Sequence, residues 1–222
     1  METAELLKEI KSELRLAMNG KASQSMREKG LNYRVNFGVE LPRLKEMASR
    51  LPHEESLAQA LWREEIRECK ILATLVQPAD SFETDMATLW VEQMPNTEIA
   101  DYAAKNLLCH MHNALSVAFE WMARDEGLFA YCGCRMITHL LMQGTALNER
   151  NEEELIDQAA CLLTGSEPAS PLRRAAYIML QKYALQAPAQ AAKLMKLLPR
   201  LTPATDEELH GMYHELEAAK KG

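Results

Sequence analysis

The chain has 222 residues, 47% of them hydrophobic and 26% charged, and a formal net charge of -7. Its five cysteines form an odd set, which argues against a disulfide framework and for free thiols in a reducing compartment, and no apolar run approaches the roughly 20 residues of a membrane span. What remains is a globular chain long enough for one sizeable core or one array of stacked units, expected in the cytoplasm without a membrane partner.

Gly and Pro number only nine each, and Ala, Leu, Glu, Met and Lys dominate, so helix is the default state. The first helix is expected from Thr3 to Met18, with Leu6, Leu7, Ile10, Leu14 and Ala17 as its apolar stripe and Asn19-Gly20 as its end. A short helix to Lys29 follows, then a loop from Gly30 to Gly38. This region carries Lys21, Arg27, Lys29 and Arg34 with the aromatics Tyr33 and Phe37, a combination suited to phosphate contacts or to a plain exposed connector. Within it, Tyr33 to Phe37 alternates like a strand but is too isolated to build a sheet. A new helix is expected at Leu41, with Pro42 in its first turn.

Beyond Leu41 the prolines punctuate helices of roughly 9 to 15 residues, too short for a coiled coil. The segment Asn96 to Leu108, NTEIADYAAKNLL, stands out. Ile99, Ala103 and Leu107, with Ala100, Ala104 and Leu108 one step round, bury one side of a helix. Asp101 is the acidic residue inside that run; Thr97 is placed to cap the first turn, and Lys105, four residues on, shares a face with Asp101.

Three stretches, IRECKILATL, LFAYCGCRMI and LRRAAYIMLQ, form a loose internal repeat, each followed by a second amphipathic helix. Repeat starts near Ile66, Ile99, Leu128 and Leu172 give a period of roughly 30 to 45 residues. Pairs of this kind bury both faces only by stacking, so the expected fold is all-α, a HEAT-like or ARM-type α-α superhelix in the form of a curved solenoid. An irregular single-core bundle is the alternative. The expected organisation is one domain, with N-terminal helices and a basic loop over 1–40, repeats over 41–200 and a capping helix over 201–222.

Several segments together resemble the AlkD-like family of DNA alkylation-repair proteins, which are HEAT-like repeat glycosylases. They are the Phe37-Gly38-Val39 turn before a basic helix, LWREEIRECKILATLV, LWVEQMPNTEIADYAAKNLL and PLRRAAYIMLQKYA, and the resemblance runs from about Lys21 to Leu198. It implies double-stranded, alkylated DNA lying in a concave face, with a carboxylate beside the sugar of the damaged nucleotide. Such a carboxylate stabilises the oxocarbenium character that develops as a cationic purine departs. Asp101 matches the family's acidic position. The pattern departs where Trp is usual: Thr97 stands one turn before Asp101, and Ile178 stands on the late helix with Tyr177 nearby. The family's basic residue in the middle unit aligns with Cys132, and Arg135 lies three residues further on.

Arg173, Arg174 and Lys182 are further candidates for phosphate contacts, the first two in a helix's first turn where backbone amides also attract anions. Net acidity is unusual for a DNA binder. The local field of one face decides, however, and the acidic clusters Glu54–Glu55, Glu64–Glu68, Glu152–Glu154 and Asp206–Glu208 are expected on a solvated opposite surface.

Other chemistries find little support. Cys109, His110, Met111 and His112 with Cys132 and Cys134 lack zinc-site spacing, and Gly211 follows His210 where a zinc-protease helix needs Glu, which leaves His210 and His214 as a solvated pair. With no G-x-S-x-G elbow and no phosphate-cradling loop, neither metal nor cofactor is expected. The function that the resemblance implies is binding of alkylated duplex DNA by a monomer and, for a catalytic member, hydrolysis of the N-glycosidic bond of cationic alkylated purines. Asp101 is expected in the catalytic or lesion-sensing role, and Lys105, Arg135, Arg173, Arg174 and Lys182 are expected to line the groove. A non-catalytic HEAT-type scaffold for a protein partner or DNA is the rival.

Overall fold

The structure is a computed structural model that describes residues 3–167 and 169–201 together with Gly211 and His214. Most of the expected capping helix over 201–222, His210 and the Asp206–Glu208 cluster included, lies outside the described residues. Among the described residues there are twelve α-helices, and the one β-type contact is an isolated parallel bridge between Val35 and Ile66. The fold is all-α and HEAT-like, as the proline punctuation and apolar periodicity imply. It divides into two compact units, residues 1–112 and 113–222.

The first unit holds α1 (Thr3–Leu16), α2 (Gly20–Glu28), α3 (Leu41–Ala48), α4 (Glu55–Trp62), α5 (Arg67–Val76), α6 (Thr84–Glu92) and α7 (Thr97–Asn106). Helix α5 packs between α3 and α7, while α4 packs against both α5 and α1. A helix enclosed in this way must be buried nearly all round, and α5 is: Cys69, Ile71, Leu72, Ala73 and Val76 are all below 1% exposed. Trp62, at the end of α4, stacks on Trp90 of α6 with ring centroids 4.1 Å apart and planes 2° from parallel, and Phe82 meets Trp90 edge-on. Their indole N–H groups donate to Gln93 and Gln59 respectively, so the aromatic core leaves neither donor unsatisfied.

The second unit holds α8 (Ala114–Met122), α9 (Phe129–Met142), α10 (Glu149–Gly165), α11 (Pro171–Ala184) and α12 (Pro188–Leu201). The pairs α8/α9 and α10/α11 each pack together, α9 packs on α11, and α12 packs on both α10 and α11. Gly133 is what lets α8 and α9 approach so closely: a Cβ there would lie 2.5 Å from the Ala118 carbonyl oxygen and 3.0 Å from the Met122 nitrogen. The starts of α5, α7, α9 and α11 fall within two residues of the repeat starts expected from sequence.

Candidate functional site

The loop between α2 and α3 is fixed from beneath. Gly38 adopts φ +72°, and a Cβ at that position would sit 2.2 Å from the Asn19 carbonyl oxygen, so only glycine lets the chain turn so tightly against the start of α2. The Phe37 and Val39 amides both donate to the carboxylate of Glu68, each at 3.2 Å, and Glu68 is fully buried. Sequence had placed Glu68 on a solvated acidic surface; the structure corrects this, because two amides of the loop need an internal acceptor and Glu68 supplies it.

Glu68 is neutralised by Arg67, itself 3% exposed. The Arg67 guanidinium donates to Glu98 through Nε at 2.9 Å and Nη2 at 2.7 Å, and through Nη1 to the Val39 carbonyl and to Glu68, each at 3.3 Å. Such forked, charge-assisted pairing fixes direction as well as distance. Tyr33 completes the cluster by donating to Glu98 and to Asn96. Its phenol is pushed well above the usual tyrosine range, first by burial and then by the hydrogen bond and charge of Glu98. Arg67 is likewise held protonated: burial opposes its charge, but Glu98 and Glu68 outweigh that cost.

This cluster sets the start of α7. Asn96 caps the helix by accepting from the Ile99 amide, in place of Thr97, which is already the first helical residue. Asparagine is the stronger cap, so the boundary falls one residue earlier than expected. Ile99, Ala100, Ala103 and Ala104 face inward, and the opposite face presents Thr97, Glu98, Asp101 and Tyr102, all half-buried, with Lys105 exposed one turn further on. Asn106 ties the end of the helix to α5 by donating to the Thr74 hydroxyl at 3.0 Å. The Tyr102 phenol is raised, first by burial and then by the charge of Glu98, with Asp101 adding to the effect and Arg67 opposing it. Thus the face carries two carboxylates: that of Glu98 is held in the Arg67 fork, and that of Asp101 sits in the next turn beside a tyrosine.

Among the described residues, the aromatic side chain on that face is a tyrosine, Tyr102. All three tryptophans, Trp62, Trp90 and Trp121, are core residues exposed by 1% or less.

The second unit places its predicted residues differently. Arg135 is half-buried on α9 between the buried Cys134 and Met136. Arg173 and Arg174 stand in the first turn of α11, which Ser170 caps. Arg174 is exposed, but Arg173 is 8% exposed and donates to the Leu163 carbonyl, satisfying an end-of-helix acceptor of α10. Lys182 lies half-buried beside Leu141, Met142 and Leu185. Sequence reasoning missed the Arg67–Glu68–Glu98–Tyr33 cluster; its one local signal was an arginine–glutamate pair opening an otherwise apolar helix.

A family model described as "DNA alkylation repair enzyme" matches residues 10–195. No curated protein matches the chain. Among solved structures it is similar to one described as belonging to "a new family of proteins related to the HEAT-like repeat DNA glycosylases with affinity for branched DNA structures", with 15% identity, a TM-score of 0.81, and coverage of 96% of this chain and 94% of that one. A likeness at that identity speaks to the fold.

Proposed function

Because the chain belongs to the DNA alkylation repair enzyme family, we propose that it binds alkylated duplex DNA and hydrolyses the N-glycosidic bond of cationic alkylpurines. The observation that carries this reading is the open face of α7, where Asp101 stands half-buried one turn beyond a second carboxylate that arginine has already neutralised. An alkylated purine leaves as a neutral base, so the sugar is where positive charge develops, and a carboxylate in a partly dry setting stabilises it. Lys105 and Arg174, both exposed, and Arg135 and Lys182, both half-buried, hold backbone phosphates. Arg173 contributes indirectly, by fixing the start of α11.

A second reading is favoured by one observation. With every tryptophan committed to the core, no indole face is offered to a cationic base, which suits a member that binds DNA without releasing the base. The solved relative's described affinity for branched DNA fits that reading as well.

One experiment separates them: release of methylated purine from alkylated duplex, with parallel binding to intact duplex and to a four-way junction. The glycosylase reading expects release by the wild-type chain and a loss of at least ~100-fold in rate for Asp101→Asn, the scale of removing one electrostatic stabiliser. Release at the spontaneous rate, with junction binding retained, establishes the second reading. Absence of binding to any DNA overturns both.

A further inference from the structure

A cleft of about 640 Å³ opens in the first unit between the loop before α3, the α4–α5 turn and the approach to α7, lined by Tyr33, Arg34, Trp62, Arg63, Glu65 and Lys70 together with Asn32, Gln93 and Pro95. Its charges are uneven. Three cations face one carboxylate, and that carboxylate, Glu65, is paired with Arg34. The Arg63 guanidinium is exposed and has no hydrogen-bond or ion-pair partner among the described residues. Lys70 is held rigidly: its ammonium donates to the Trp62 carbonyl at 2.8 Å and lies 4.6 Å from the centre of the Trp62 ring. Burial lowers the Lys70 pKa, with the charge of Glu65 opposing, and an anion in the cleft would favour the charged ammonium against that burial.

We infer that this cleft is a phosphate site: it takes a backbone phosphate of the DNA strand whose nucleotide is presented to Asp101. The inference rests on the DNA-binding reading above. The two sites are mechanically joined, because Tyr33 lines the cleft and also donates to Asn96 and Glu98 at the start of α7. From Thr97, where α7 begins two residues beyond Pro95 of the cleft lining, to Asp101 the helix advances roughly 6 Å at about 1.5 Å per residue, or about two nucleotide rises. That spacing suits a grip on the same strand. Arg63 supplies the unpaired charge, Lys70 the anchored one, and Asn32 and Gln93 are amides able to donate to the remaining phosphate oxygens.

The test is binding of labelled duplex to the full chain across a salt series, comparing the wild type with Arg63→Gln and with Arg50→Gln. Arg50 also is an exposed arginine, paired with Glu13 and outside the cleft, so it controls for the loss of one charge. Loss of one phosphate contact should flatten the log–log salt slope by about 0.9, equivalent to roughly eightfold weaker binding at 0.1 M salt, for Arg63→Gln only. An unchanged slope in Arg63→Gln, or the same change in both variants, overturns the phosphate site while leaving DNA binding intact. A wild-type chain that binds no DNA overturns the parent reading and this one together. A third arm titrates inorganic phosphate at matched ionic strength: tight binding lost in Arg63→Gln, with DNA binding unaffected, would make the cleft a small-anion site and overturn the strand assignment.

Discussion

Glu98→Gln tests whether the buried cluster, and not helix propensity, fixes the start of α7. The substitution keeps the side-chain shape but replaces one acceptor oxygen of the Arg67 fork by a donor, leaving a guanidinium that is 3% exposed facing an amide. Removing one partner of a buried ion pair costs roughly 3–5 kcal/mol. Here Glu68 still lies 3.3 Å from Nη1 and Glu98 keeps 19% of its side chain in contact with solvent, which brings the expected loss to about 2–4 kcal/mol. For a chain of this size that corresponds to a melting temperature lower by roughly 5–15 °C. The exposed pair Arg34–Glu65 serves as the control, since its loss should leave the melting temperature unmoved. A second readout is specific to the cluster. Glu98 raises the Tyr33 phenol through both a hydrogen bond and its charge, and the Tyr102 phenol through its charge, so in Glu98→Gln two tyrosines should ionise at lower pH in an ultraviolet titration, with burial still holding both above the ordinary value. Equal thermal shifts for Glu98→Gln and Arg34→Gln, together with an unmoved tyrosine titration, would refute the reasoning.

Two further predictions concern the scaffold. Gly→Ala within a helix ordinarily stabilises by about 1 kcal/mol, but at Gly133 the new methyl meets backbone atoms of α8 that cannot rotate away. Gly133→Ala should therefore lower the urea midpoint by an amount equivalent to roughly 1–3 kcal/mol, whereas Gly165→Ala, with nothing within 4 Å, should raise it; equal midpoints would show that α8 and α9 are not packed this closely. Of the five cysteines only Cys161 is exposed, and burial pushes the Cys69 and Cys134 thiols up to about 12. One thiol should react with a disulfide reagent at neutral pH, and five after denaturation; prompt reaction of Cys161→Ser would count against it. Because the folded-state values lie above the ordinary 9.0, these two thiols contribute stability that is fully present below pH 9 and is lost as pH rises toward 12.

Much of the architecture can be read from local pattern. Apolar residues at helical spacing and prolines at regular intervals are signals contained within single segments, which is why α5, α7, α9 and α11 begin where the repeat suggests. What escapes such reading depends on partners far apart in the chain. Glu68 looks like part of a solvated acidic run until Phe37 and Val39, about thirty positions earlier, present their amides to it. Arg173 looks like a free cation at a helix start until the Leu163 carbonyl claims it. The tryptophans are placed by stacking between α4 and α6 and by the α8–α9 contact, neither of which leaves a trace in spacing. The cleft escapes for the same reason, being assembled from segments separated by some sixty residues.

The hydroxyl of Tyr33 reaches partners 63 and 65 positions further along the chain, which makes the Tyr33 end of the basic loop one of the last parts of its unit able to settle. During synthesis Glu68 can take the Phe37 and Val39 amides as soon as α5 is available, but the Tyr33 side chain gains its partners only when α7 arrives. The same hydroxyl thus closes the Tyr33 end of the loop and the start of α7 together, so neither is complete before the other.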